Sequence, residues 1–166
     1  TPPAWDMEVL KAQAVTSRTY ALYQKRSAGN RAYHILATVD DQVYQGVLGE
    51  APRAVRAGNE TRGMVLMHAG RVIPAFYHAN CGGHTENAAQ LWGIDAPYLA
   101  GVDCECQEIV TDALWERRIP VARFIEVLKN EGYRVNAFSR VKIEGITPAG
   151  RVTRISLLSE KDRVMV

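Results

Sequence analysis

Cys81 and His84 stand in the run FYHANCGGHTEN with two glycines between them, and His78 lies three residues before the cysteine. Cys104 and Cys106 follow in DCEC. A thiolate and an imidazole spaced C-x-x-H can share one metal ion, and Gly82 and Gly83 permit the tight turn that this needs. With the two later cysteines, Cys81, His84, Cys104 and Cys106 make a Cys₃His set, sufficient for a closed tetrahedral zinc site. His78 is an alternative to His84. Four protein ligands leave no open position, so such a zinc would pin two loops together and would not activate water. The same residues allow other chemistry. One disulfide from Cys81 to Cys104 or Cys106 would use two of the three sulfurs. A nucleophilic Cys81 would need His78 or His84 as its base and a third group to orient it.

A second kind of chemistry rests on Glu8, in MEVLKAQAVTSRTYALYQ. On a helix wheel Glu8 shares a face with Ala12, Val15 and Thr19. Drying a carboxyl favours its neutral form, which is the state a general acid must hold. A carboxylate in a first helical turn also has a plain structural use, because the dipole there is positive. Lys11 and Arg18 point to a neighbouring face about 60–80° away.

The elements that must position these groups follow from pattern. Pro2 and Pro3 precede a helix expected over Trp5 to Gln24, with Asp6 as N-cap. Its apolar and small residues run almost all the way round, which predicts burial on several faces, Val9 and Trp5 included. Gly29 and Asn30 break it. Extended segments are expected at 33–38 and 42–46, a short helix from Ala51 to Ala57, and a hairpin turning at HAG within GMVLMHAGRVIPAFYH. Beyond Cys106, Val121, Phe124, Ile125 and Leu128 repeat at helical spacing and Gly132 closes that helix. RVKIEGI and GRVTRISLLSEKDRVMV alternate as strands do. The fold class is α+β, a long buried N-terminal helix packed on mixed or antiparallel strands, then a second helix and a C-terminal β region.

The chain has 166 residues, of which 47% are hydrophobic and 23% charged, so a packed core is expected. A net charge of +2 from evenly mixed residues gives no electrostatic reason for a nucleic-acid partner. No apolar run approaches the roughly 18 residues that span a bilayer, and no signal peptide opens the chain. A helix pattern starting at once suggests a piece trimmed at a domain edge. Membrane attachment is then expected only through a segment not present.

EVLKAQAVTSRTYALYQ, ATVDDQVYQG, IPAFYHANCGGHTENAAQLW and PYLAGVDCEC occur in one order and at the approximate spacing of the SpoIID/LytB family, which this chain resembles. The family comprises sporulation stage II protein D and its relatives, amidase enhancers among them. The likeness is strong over residues 5–106, read as a core of 1–106, with 107–166 completing the domain or forming a small lobe. It implies a lytic transglycosylase acting outside the cytoplasm on peptidoglycan strands stripped of stem peptides, with Glu8 as catalytic acid. Arg18, Tyr44, Gln45 and His78 fall in the matching segments as candidates for gripping sugar. Tyr77 and Trp92 could pack on sugar rings. The likeness also implies zinc near the cleft in some members. A different implication is a wall-binding module that enhances a partner amidase.

Overall fold

A computed structural model describes residues 2–104, 116–160 and 162–166. Cys106, one of the expected zinc ligands, lies with the rest of 105–115 outside the described residues. The chain is α+β, as the sequence predicts, and it divides into two compact units, Thr1–Ala79 and Asn80–Val166. The expected division after residue 106 falls inside the second unit.

The first unit is organised by helix α1, Met7–Ser27. Asp6 caps it by accepting the Glu8 amide, and Lys25 and Arg26 sit in its last turn, where cations suit the dipole. Leu10, Thr19 and Tyr20 are its buried residues. They span about half the circumference. Val9 points the same way as Tyr20, yet it and Trp5 are exposed, contrary to expectation, at 46% and 45%, because that side is covered only at the later turn. Helix α2, Pro52–Glu60, starts with proline at its first position, where no amide bond is lost. It packs on α1, with Ala57 fully buried.

The hairpin is short. Strands β1, Met67–His68, and β2, Arg71–Val72, pair antiparallel around Ala69 and Gly70, both at positive φ. That is the turn whose twist suits a two-residue loop. Pro74, lacking an amide proton, follows soon after. The strands expected at 33–38 and 42–46 are absent. In their place Asp41 accepts the Leu36 amide at 2.8 Å, and Thr38 and Asp40 bond each other. Side-chain acceptors take the backbone donors that a ladder would have used.

In the second unit, helix α3 is Ala88–Trp92 and helix α4 is Val121–Asn130, the latter ended by Gly132 at φ +87°. Strands β3, Arg140–Ile146, β4, Val152–Leu158, and β5, Arg163–Met165, form one antiparallel sheet in that order. Leu128, Val135 and Leu157 centre the core, with Phe124 and Phe138 meeting edge to face at 6.0 Å.

Candidate functional site

Gly46 takes φ +86°, a backbone open chiefly to glycine, and the 3₁₀ turn Val47–Gly49 follows. The chain therefore doubles back, and the Tyr44 hydroxyl donates to Glu50 Oε1 at 2.9 Å. That bond comes first among the causes that raise the Tyr44 pKa. Tyr44, Gln45, Glu50 and Asn59 line a groove of about 730 Å³ whose apolar side includes Pro3, Val43 and Val55. Two of the predicted sugar-binding residues, Tyr44 and Gln45, thus meet in one place. Tyr44 is 55% exposed, so its ring belongs to the surface and not to a core.

Glu8 does not line this groove. Its side chain is 79% exposed, which corrects the expectation of a dry carboxyl. The wheel grouped it rightly with Thr19, which is fully buried, but α2 and the segment beyond cover that face only further along the helix. Lys11 Nζ donates to Glu8 Oε1 at 2.8 Å and to Glu60 Oε2 at 2.9 Å, and Arg56 holds the other Glu60 oxygen at 2.6 Å. Glu8 and Glu60, in that order, raise the Lys11 pKa; Arg56 and then Lys11 lower that of Glu60. A charge chain therefore ties the first turn of α1 to the end of α2. Sequence reading placed Lys11 on a face near Glu8 but had no signal for Glu60.

Arg18 has a structural post. Its guanidinium donates to the carbonyls of Thr61, Met64 and Gly58 at 2.8, 2.9 and 3.0 Å, closing the C-terminal end of α2. The Gly58 carbonyl is in the last turn of α2, where helix carbonyls run out of amide donors, and those of Thr61 and Met64 lie just beyond it. Arg18, expected among the residues that grip sugar, thus has its guanidinium engaged by backbone carbonyls. His78 is exposed, as is Tyr77, whose ring meets Tyr20 edge to face at 6.5 Å.

In the second unit the CGGHT segment is a tight turn, with Gly82 at φ +64° and Gly83 at φ +96°. Asn80 accepts the Gly82 amide at 2.7 Å. The segment then pairs with residues 102–104: the Thr85 amide donates to Val102 O, and the Cys104 amide to Gly83 O, both at 2.9 Å. Gly101 allows that approach, since a Cβ there would lie 2.8 Å from the Thr85 carbonyl. Arg151 reaches across to the carbonyls of Cys81 and His84, and to Glu86. Burial raises the Glu86 pKa, but bonds from Thr147, the Asn87 amide and Arg151 outweigh it and leave the carboxyl below its usual value.

The Cys81 side chain is a buried thiol, and Cys104 is in a disulfide. His84 Nδ1 lies on the Thr85 carbonyl, which can only accept, so that nitrogen carries the proton. Its Nε2 faces Asp103 Oδ1 at 3.8 Å. Of the four proposed zinc ligands, Cys81, His84 and Cys104 stand on neighbouring backbone, but a sulfur in a disulfide is not a thiolate donor. Among the described residues no group of three or more such side chains is set to hold a metal. Trp92, 55% exposed, ends α3.

Residues 1–68 match the sequence model of the Stage II sporulation protein family, SpoIID. Over residues 1–68 the chain is a member of the SpoIID family. It is 32% identical over 157 residues to an uncharacterized protein of Brachyspira hyodysenteriae, covering 93% of this chain and 42% of that one. It is 34% identical over 98 residues to the amidase enhancer of Bacillus subtilis, covering 59% of this chain and 13% of the other. The chain thus spans less than half the length of these curated relatives. The SpoIID match includes α1, α2 and the groove, while the CGGHT turn and its Arg151 clamp lie beyond it.

Proposed function

We propose that this SpoIID chain acts on the cell wall outside the cytoplasm, as a lytic transglycosylase cutting the MurNAc–GlcNAc bond of strands stripped of stem peptides. The observation that carries this reading is the groove of Tyr44, Gln45, Glu50 and Asn59, in the same unit as Glu8. An aromatic ring, two amides and a carboxylate beside apolar walls suit a sugar, which offers both hydroxyls and a hydrophobic face. Family membership and the four ordered motifs support it.

In the proposed reaction Glu8 gives a proton to the bridging oxygen as the bond to the muramyl C1 breaks. The C6 hydroxyl of the same sugar then bonds to C1, and its proton returns to Glu8. No water is consumed and no protein nucleophile is needed. A bound strand must cover the exposed carboxyl. Lys11 can then stay on Glu60, so releasing Glu8 leaves the ammonium paired. The Cys81, His84, Cys104 and Cys106 zinc site is proposed only for the reduced protein, as a loop tie with no part in the reaction.

Mass spectrometry of a digest of peptide-free strands tests the mechanism. Products with 1,6-anhydro-muramyl ends are expected, and Glu8→Gln should lower their rate by at least about 100-fold with the circular-dichroism spectrum unchanged. Ordinary reducing ends, or a mutant as fast as the parent, would reject it.

The exposure of Glu8 and its absence from the groove favour a second reading. In it the chain is a wall-binding module that enhances an amidase, as the name of the Bacillus relative suggests. Binding to peptide-free strands without anhydro products, and unaltered by Glu8→Gln, would select this reading.

A further inference from the structure

Resting on the reading that the groove holds a glycan, we propose that it is the subsite for the glucosamine-type sugar, and that Glu50 makes strands with free amino groups its preferred ligands. Among the described lining residues Glu50 is the sole charged side chain. The cations of the neighbouring elements are engaged elsewhere. Arg53 donates to the Ala4 carbonyl at 3.3 Å, Lys11 and Arg56 hold Glu60, and Arg18 caps α2. A muramyl lactyl group carries a carboxylate and would meet Glu50 with no cation among the lining residues, so that sugar is disfavoured here. The sugar without it fits: Gln45 and Asn59 offer amides to hydroxyls or an acetamido group, and Glu50 accepts from an amide or an ammonium.

Tyr44 fixes the direction of this carboxylate. Its hydroxyl binds one oxygen, and the exposed position leaves Glu50 able to accept a second donor from the ligand. A charge-assisted bond to a sugar ammonium is stronger than a neutral bond to an acetamido group. The protein as a whole carries +2, so its overall field works against a cationic glycan. Any preference for free amines must therefore be local.

Calorimetric titration of the 166-residue chain decides it. The probes are chitotetraose and its fully de-N-acetylated counterpart, at low ionic strength and mildly acidic pH, where the sugar amines are protonated. The parent should bind the amine form about 3- to 5-fold more tightly, as expected for one exposed charge pair, and added salt should shrink that ratio. Glu50→Gln keeps the size and an acceptor for Tyr44 but removes the charge, and should bring the ratio to about one. Equal or weaker binding of the amine form by the parent, or an unchanged ratio in Glu50→Gln, overturns the proposal. A parent that binds neither oligosaccharide overturns it together with the glycan reading of the groove. The Glu8 reaction is judged separately, by the anhydro ends.

Discussion

Replacing Arg18 by alanine separates a structural side chain from a ligand-binding one. Three carbonyls and the Thr61 hydroxyl lose their donor, at original distances of 2.8, 2.9, 3.0 and 3.3 Å. A hydrogen bond to a charged group contributes about 1.5–3 kcal/mol when it is shielded. The Met64 carbonyl is exposed, so water replaces the guanidinium there at little loss. The bonds to Thr61 and Gly58 are only partly buried and are in part compensated by water too. A total loss of about 2–4 kcal/mol follows. Denaturant unfolding followed by the helical circular-dichroism signal reads it. Arg18→Lys should recover less than half, because an ammonium cannot span carbonyls that a planar fork reaches together. A loss below about 0.5 kcal/mol would refute the capping argument. If glycan binding vanished at the same time, Arg18 would instead be a ligand residue.

Four further outcomes are expected. Burial first, and then its bond to Asp41, push the Tyr20 hydroxyl up to about 12, so its contribution to stability is full below the unfolded value of 10.0 and is lost as pH rises towards 12. In an ultraviolet titration Tyr20→Phe should remove the tyrosinate step near 12, and Asp41→Asn should move it down; a step left in place would refute the assignment. Tyr20 first, then the Leu36 amide and Gln24, lower the Asp41 pKa, so its contribution is full above the unfolded value of 3.8 and is lost as pH falls through the folded one. Gly101→Ala should cost about 1–3 kcal/mol in unfolding experiments, because its methyl would meet a backbone carbonyl that cannot swing aside. Protein purified with zinc under reducing conditions should hold about one zinc per chain by elemental analysis, and the oxidised protein, with Cys104 in its disulfide, should hold none. Metal in the oxidised form, or none in the reduced form, would reject the Cys₃His set.

Much of this chain is legible residue by residue. Asp6 marks the start of α1, expected over Trp5 to Gln24 and observed over Met7–Ser27; Gly132 ends α4; and the alternation of RVKIEGI gives β3 to its observed ends. Local rules suffice there, because a cap, a helical period or a pleat is settled within a few neighbours. The CGGHT turn is legible for the same reason, since its two glycines adopt the positive φ that their spacing suggested. The segments at 33–38 and 42–46 had strand-like composition, but a strand needs a partner, and Asp41 took the Leu36 amide instead.

The sequence by itself determined which residues occupy each helix face and where each turn falls, because those follow from short-range geometry. It could not determine what covers a face. Glu8 and Thr19 share one side of α1, yet one is 79% exposed in its side chain and the other fully buried, because covering elements reach only the later turn. Arg18 has no partner that its own helix specifies; α2 ends beside it and offers the Thr61 and Gly58 carbonyls. Exposure and partnership are long-range properties, and only the packed chain decides them.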